Sequence, residues 1–159
     1  MTVALYPGSF DPPTLGHLEI LERCTRLFVR VVIDVGARID KKNLLTPEQR
    51  VDLLRETVAG LGHCEVLPFE GLIVNFAREQ GADVLLRGIR NSTDYEYENQ
   101  MALTNRRLAP GLETVFLPAS PDHTFLSSTL IKEVLAAGGE IEEFVPKVVA
   151  KALREAWQR

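Results

Sequence analysis

The sequence predicts an α/β protein with a doubly wound, five-stranded parallel sheet, Rossmann-like, in the strand order 3-2-1-4-5. Short runs of β-branched and aliphatic residues alternate along the chain with segments of helical periodicity. Glycine and proline mark the turns between these segments, and parallel strands joined by helices connect through right-handed crossovers. We expect residues 1–159 to form a single domain, because a chain of 159 residues is typical of one core.

Each element follows from a local pattern. The predicted strands are Val3–Leu5, Val29–Val35, Glu65–Leu67, Val84–Arg87 and Thr114–Leu117. The predicted helices are Leu15–Leu27, Pro47–Ala59, Leu72–Gln80, Asp94–Leu108, a helix from Ser127 or Ser128 to Ala137, and Pro146–Gln158. The second helix has the clearest start, since Thr46 can cap it, Pro47 suits its first position and Gln49 completes a capping box.

Composition excludes several classes of protein. The net charge of −4 argues against a nucleic-acid binder that covers phosphates with positive charge. Cys24 and Cys64 lie in no Cys-x-x-Cys or Cys/His cluster, which argues against a disulfide framework and a structural zinc site. No apolar run approaches the length of a membrane span, and no secretory signal pattern is present. We therefore expect a cytoplasmic protein that binds neither nucleic acid nor membrane.

The stretch Tyr6–His17 joins the first strand to the first helix through a loop rich in glycine and proline. Gly8 allows the backbone to approach a ligand closely, and Ser9 adds a hydroxyl group. The helix start provides unpaired N–H groups for an anion, with His17 in the first turn. The loop matches neither the Gly-x-Gly-x-x-Gly fingerprint nor the Walker A motif, so local chemistry leaves an ordinary turn and a phosphate site both open.

Three more polar clusters follow strand ends or begin helices: Lys41 with Lys42, Arg87 with Gly88 and Arg90, and the run His123–Thr129. Each has an alternative structural explanation, namely a solvated loop, an ion pair and a helix cap. In a doubly wound sheet, however, ligands bind at the carboxyl ends of the strands where the strand order reverses. Cations, hydroxyl groups and N–H groups without an evident nucleophile suit phosphoryl or nucleotidyl transfer.

These motifs resemble those of the nucleotidylyltransferase superfamily. Thr14-Leu-Gly-His17 resembles its His-x-Gly-His-type signature, and Ser127–Lys132 is similar to its second, C-terminal signature. Arg87–Arg90, Asp94–Glu98 and Lys41–Lys42 narrow the resemblance to the bacterial phosphopantetheine adenylyltransferases. That family transfers the adenylyl group of ATP to 4′-phosphopantetheine, giving dephospho-coenzyme A and pyrophosphate in the penultimate step of coenzyme A synthesis.

The resemblance implies a role for each matching position. Catalytic roles fall on His17 as the stabiliser of the transition state, with Lys41 and Arg90. Phosphopantetheine contacts fall on Ser9, Lys41, Ile73 and Arg87. ATP contacts fall on Ser9, Phe10, His17, Gly88, Ile89, Arg90, Glu98, His123, Thr124, Phe125, Leu126, Ser127, Ser128 and Thr129. The sequence departs from the family at Ser9, where Thr is common, at His123, where an aromatic residue is frequent, and at Thr129, where Ser is common.

The resemblance also implies direct in-line attack of the acceptor phosphate on the α-phosphorus of ATP. Mg²⁺ is expected with the triphosphate, and no protein side chains are assigned to it. A homohexamer and feedback inhibition by coenzyme A are likewise implied by the family alone.

Two other functions stay open. A nucleotidylyltransferase that acts on nicotinamide mononucleotide or glycerol 3-phosphate would share the first signature, although Lys41, Arg87–Arg90 and Glu98 argue against it. A non-catalytic nucleotide sensor could use the same fold, although the presence of His17 and of the second signature argues against that function.

Overall fold

The computed structural model describes residues 1–37 and 43–157 of the chain. Its centre is a five-stranded sheet of order β3-β2-β1-β4-β5, in which every neighbouring pair is parallel. The predicted fold class and strand order are therefore confirmed. The single-domain organisation of residues 1–159 stays a prediction.

The strands are β1 Val3–Gly8, β2 Arg30–Gly36, β3 Cys64–Phe69, β4 Val84–Ile89 and β5 Glu113–Pro118. The helices are α1 Leu15–Leu27, α2 Pro47–Val58, α3 Ile73–Glu79, α4 Ser92–Leu108, α5 Ser128–Ala136 and α6 Lys147–Trp157. In the described part of the chain, no helix combines the length and hydrophobicity needed to cross a membrane.

Helices cover both faces of the sheet. On one face, Val31, Ile33 and Val35 of β2 pack in a buried cluster with residues of α1 and α2. On the other face, Leu5 and Val32 pack in a second cluster that includes residues of α3. This division follows from the period of two along a strand, which sends successive side chains to opposite faces. A third cluster joins α5 and α6 to α2.

The sheet opens between β1 and β4, and this opening positions the site. The two strands pair only at Ala4–Val84 and Leu5–Leu85. Beyond these residues, β1 continues along β2 as far as Gly8, and β4 continues along β5 as far as Ile89. A crevice therefore forms at the carboxyl ends of β1 and β4, where a doubly wound sheet reverses its strand order.

Several predicted element ends are corrected by the structure. The prediction ended the first strand at Leu5, but β1 runs to Gly8 because Tyr6, Pro7 and Gly8 continue the ladder with β2. The helix predicted from Asp94 starts at Ser92, because the side chain of Asn91 accepts a hydrogen bond from the Asp94 N–H and caps it earlier. The capping box of Thr46 and Gln49 is present as predicted.

Candidate active site

A cavity of about 310 Å³ occupies the crevice between β1 and β4. Its walls come from the carboxyl ends of these strands, the first turn of α1, the chain leading into α5 and the start of α4. The predicted site residues that line it are Ser9, Phe10, His17, Arg87, Gly88, Arg90, Glu98, His123, Leu126, Ser127, Ser128 and Thr129. The structure thus brings together side chains that are far apart in the sequence.

His17 is held in one orientation by the start of α1. Thr14 is the N-cap, and its hydroxyl oxygen accepts a hydrogen bond from the His17 N–H at 3.3 Å. The backbone N–H of Thr14 donates in return to Nδ1 of His17 at 3.0 Å. Since Nδ1 is the acceptor, the proton of the neutral ring lies on Nε2. His17 therefore enters the cavity as a hydrogen-bond donor through Nε2.

The surroundings of His17 keep its ring neutral. Burial, followed by the positive charges of Arg90 and Arg87, lowers the pKa of His17 to about 4. The ring of Phe10 packs edge-on against it, with centroids 5.0 Å apart. Phe10 is itself buried and has a positive φ of 48°. Near pH 7 the group available at this position is a neutral imidazole, not an imidazolium.

Arg87 crosses the opening between the strands. Its Nη1 donates to the carbonyl oxygen of Pro7 at 2.7 Å, and its Nε and Nη2 donate to the two carboxylate oxygens of Glu98 at 2.7 and 2.5 Å. Burial opposes the charge of Arg87, but the hydrogen bonding and charge of Glu98 raise its pKa overall. These bonds use three of the five guanidinium N–H groups, which leaves two for a phosphate oxygen.

Arg90 is held by Asp94 of α4 and by the chain before α5. Its Nε and Nη2 donate to Asp94 at 2.8 and 3.1 Å, and its Nη1 donates to the Leu126 carbonyl oxygen at 3.0 Å. Burial of Asp94 opposes its ionisation, but the hydrogen bonds and charge of Arg90 lower its pKa overall. The second predicted cation is therefore fixed in place beside the cavity.

Two helix starts face the cavity. One is α1, with Thr14 and His17, and the other is α5, which begins at Ser128 after the N-cap Ser127. The Ser127 hydroxyl oxygen accepts from the Leu130 N–H at 3.0 Å, and the Ser128 hydroxyl donates to the Pro12 carbonyl oxygen at 2.8 Å. Unpaired N–H groups and the positive end of the helix dipole make such starts favourable for phosphates.

Some predicted residues do not line this cavity. Ile89 closes β4, and Thr124 and Phe125 lie exposed in the chain before α5, where Phe125 packs against Phe144. Ile73 lines a different cavity, described below. Lys41 lies outside the described residues.

A second cavity, of about 660 Å³, adjoins the first on the face covered by α3 and α4. Pro7, Arg87 and Glu98 line both cavities. Much of the remaining wall is apolar and includes Phe69, Ile73, Leu85 and Met101. Asp34, Tyr97, Asn105 and Thr114 add polar groups. The pair of cavities suits a ligand with a phosphate near Arg87 and a long, mostly apolar arm.

Sequence analysis missed Arg50, which binds the backbone of the loop that follows β1. Arg50 is fully buried, and its Nη1 donates to the carbonyl oxygens of Ser9 at 2.7 Å and Gly36 at 3.0 Å. The sequence does place Arg50 on the apolar face of α2, because it shares that face with Leu53 and Leu54 at the spacing i, i+3, i+4. A cation at a core position of an amphipathic helix indicates that it meets polar backbone inside the protein.

Asp11 was also missed. It is buried, and its two carboxylate oxygens accept from the Leu44 and Leu45 N–H groups, each at 2.9 Å. Lys132 of α5 lies 3.3 Å from the same carboxylate. Asp11 thus ties the loop after β1 to the chain that follows residues 38–42, and to α5.

Metal-ligating side chains are not clustered here: across residues 1–37 and 43–157 no group of three His, Cys, Asp or Glu residues could hold a metal ion. The Thr14 hydroxyl lies 3.1 Å from Nδ1 of His17, but it is buried and engaged as the N-cap of α1. The donors of His17, Arg87, Arg90 and two helix starts are suited to binding and polarising phosphates. The fold and the residues of this site together are those expected of a nucleotidyltransferase.

Comparison with known proteins agrees with this class. A family model described as cytidylyltransferase-like matches residues 5–134. A phosphopantetheine adenylyltransferase of Clostridium perfringens (strain SM101 / Type A) is 46% identical over 155 residues, covering 98% of this chain and 94% of the relative. One from Synechococcus sp. (strain JA-3-3Ab) is 51% identical over 153 residues, covering 96% of each.

A solved structure from Vibrio parahaemolyticus, provisionally described as a nicotinate-nucleotide adenylyltransferase, superposes with a TM-score of 0.70 over 97% of this chain and 99% of that one. At 18% identity this likeness concerns the fold alone. The chain belongs to the cytidylyltransferase-like family and, within it, to the phosphopantetheine adenylyltransferases. The predicted family and enzyme class, a nucleotidyltransferase, are therefore confirmed.

Proposed function

We propose that this enzyme transfers the adenylyl group of ATP to 4′-phosphopantetheine, giving dephospho-coenzyme A and pyrophosphate. The observation that carries the proposal is the pair of adjoining cavities, which share Arg87 at their boundary. The first has the donors and helix starts that a triphosphate needs, and the second has a volume of about 660 Å³ and the apolar wall that a pantetheine arm needs. The names of the relatives support the same reaction.

The reaction is a direct in-line attack. An oxygen of the acceptor phosphate forms a bond to the α-phosphorus of ATP, and the bond from that phosphorus to the bridging oxygen of pyrophosphate breaks. No general base is required, since the attacking phosphate is already ionised. The protein supplies positioning and charge stabilisation, which is the usual division of labour in phosphoryl transfer.

His17 donates from Nε2 to the phosphate oxygens as negative charge redistributes. Its capping-box bond to Thr14 fixes the tautomer before the substrates arrive, so no reorganisation is needed during the reaction. Arg90 and Lys41 offset the repulsion between two anionic substrates, and Ser127–Thr129 hold the outer phosphates of ATP at the start of α5. Ser9 contacts both substrates, and Ile73 and Arg87 contact the acceptor.

Magnesium is proposed as part of the ATP substrate. Since the described residues contain no cluster of metal-ligating side chains, the ion would be held by the phosphates and by water, as Mg²⁺ commonly is. Its chemistry would be to neutralise charge on the triphosphate.

A homohexamer is proposed as the active assembly. Helix α4 supports it, because its only buried residue is Asn105, whereas Tyr95, Tyr97, Leu103 and Leu108 are large apolar or aromatic residues left exposed. Light scattering after size exclusion should give six times the chain mass of 17.7 kDa. A mass of one chain would contradict the proposal.

Feedback by coenzyme A and a cytoplasmic location are proposed as well. Coenzyme A carries both the pantetheine arm and the adenylyl group of the reaction product, so both cavities would receive it, and inhibition should be competitive with 4′-phosphopantetheine.

The proposed cytoplasmic location is supported by the two thiols of the chain. Both are free in the structure, Cys24 buried and Cys64 half-buried, which suits a reducing compartment.

The direct test of substrate is pyrophosphate release from ATP and Mg²⁺ with 4′-phosphopantetheine, run beside nicotinamide mononucleotide and a sample without acceptor. We expect release with 4′-phosphopantetheine alone. Release with nicotinamide mononucleotide alone would retain the fold and the role of His17, but would reject the acceptor assignments. Tight ATP binding with no release in any sample would favour a nucleotide sensor.

The role of His17 is tested by His17→Ala. We expect kcat to fall by about 10²–10³-fold, as for the loss of an oxyanion-hole donor. The matched control is His63→Asn, which removes an exposed histidine directly before the amino end of β3 and tolerates its positive φ of 66°. A normal kcat in His17→Ala would reject the proposed role.

A further inference from the structure

Asp34 is a buried carboxyl group for which the fold has no evident use. It lies in β2, and its side chain is on the same face of the sheet as Val32, two residues earlier, towards α3 and α4. The residue is only 5% exposed. Its Oδ1 has no hydrogen-bond partner anywhere in the described parts of the chain. An unpartnered buried acceptor is costly, so such a group calls for an explanation.

The second cavity is the space that this carboxyl group faces. The other ionisable groups around that cavity are Glu70, Arg87, Tyr97 and Glu98. Arg87 and Glu98 are paired with each other through two hydrogen bonds. Asp34 shares no described ion pair with any of these groups, so its carboxyl group lines the cavity without a charged partner.

We propose that Asp34 is a substrate-binding residue that accepts a hydrogen bond from an amide N–H or hydroxyl group in the arm of the acceptor. This inference rests on the proposed function, which places a 4′-phosphopantetheine arm in this cavity. Arg87 and Pro7 line both cavities, so an acceptor phosphate beside Arg87 directs the arm past the end of β2. Pro7 lies directly opposite Asp34 in the β1–β2 ladder, next to this path.

The arm offers the complementary chemistry. Pantetheine contains amide N–H groups and a hydroxyl group, and each can donate to a carboxyl oxygen. The surrounding walls of Phe69, Ile73 and Met101 are apolar, and the neighbouring polar side chains include Asn105 and Thr114. Asp34 and Asn105 are both buried and line this mostly apolar cavity, and a few placed polar groups of this kind fix the orientation of a long ligand.

The test compares Asp34→Val and Asp34→Asn with the wild-type enzyme in initial-rate kinetics, varying 4′-phosphopantetheine at saturating ATP and then the reverse. Valine removes the acceptor at nearly constant volume, so the KM for 4′-phosphopantetheine should rise about tenfold or more. The KM for ATP and kcat should stay within about twofold, because ATP occupies the first cavity. Asparagine keeps an oxygen acceptor and should stay within about threefold of wild type.

Asp52→Asn is the matched control, since it removes the same charge from an exposed position on α2. Wild-type turnover of 4′-phosphopantetheine with an unchanged KM in Asp34→Val would overturn this inference and leave the proposed function intact. An equal rise in the KM for ATP, or a fall in kcat without a rise in the KM for 4′-phosphopantetheine, would indicate a general structural role for Asp34. Either result would also overturn this inference. Failure of the wild-type enzyme to use 4′-phosphopantetheine would reject both together.

Discussion

The buried carboxyl group of Asp34 makes the free energy of unfolding of this protein fall as pH rises. Burial raises the pKa of Asp34 from 3.8 to about 7. Below pH 4 the group is protonated in both folded and unfolded chains and favours neither. Between pH 4 and pH 7 the unfolded chain loses the proton first, so the free energy of unfolding falls as pH rises. Above pH 7 the penalty is complete.

The size of the effect follows from the shift. A difference of about 3 pKa units at 1.36 kcal/mol each gives about 4 kcal/mol as the full penalty. Asp34→Asn removes the ionisable group and keeps the shape. Relative to wild type, this variant should therefore gain stability steadily from pH 4 to pH 8, by up to about 4 kcal/mol.

The assay is urea denaturation followed by far-UV circular dichroism at fixed protein concentration, at several pH values between 4 and 8. Asp52→Asn, at an exposed position, should show no comparable trend. If the difference between Asp34→Asn and wild type stays constant across this range, Asp34 is not held in the buried, unpartnered state described above.

His17 should remain neutral in the ligand-free enzyme down to about pH 5, with its proton on Nε2, because its pKa is lowered to about 4. Nitrogen-15 NMR of the imidazole measures this protonation state. Protonation of His17 near pH 6.5 would contradict the prediction. Gly8→Ala should destabilise the protein by about 1–3 kcal/mol, because a Cβ there would lie 2.9 Å from the buried ring of Phe10. The control is Gly60→Ala, whose Cβ would meet no atom within 4 Å. Thermal denaturation compares the stability of the two variants. Arg50→Met should raise the KM for both substrates by about fivefold or more, since the loop after β1 loses a charged donor, and unchanged KM values would show that the loop keeps its shape without Arg50.

The architecture was predictable because each element has a strong local signal. Alternation of aliphatic strands with periodic helices indicated the parallel sheet, and Thr46 with Gln49 marked the start of α2 correctly. Strand ends were less predictable, because Pro7 and Gly8 are typical of turns in isolation. They belong to β1 only because β2 lies alongside and continues the ladder, which is a long-range effect.

The candidate site was predictable as a set of residue types, but not as a set of contacts. Nothing local showed that Glu98 would pair with Arg87 or that the proton of His17 would be fixed by Thr14. A role for Asp34 was not predicted, because a single charged residue within an aliphatic strand does not by itself indicate a binding site. Its importance depends on a cavity formed by α3 and α4, which the sequence of β2 does not reveal.

We propose that the two bound anions react directly, with no covalent intermediate on the protein. A single-turnover reaction with ATP labelled at the α-phosphorus, excess enzyme and 4′-phosphopantetheine, quenched in acid at successive times, tests it most directly. We predict that the label passes from ATP to dephospho-coenzyme A in one step, and that the precipitated protein carries no label at any time. Labelled protein that forms and decays at the rate of product formation would contradict the account.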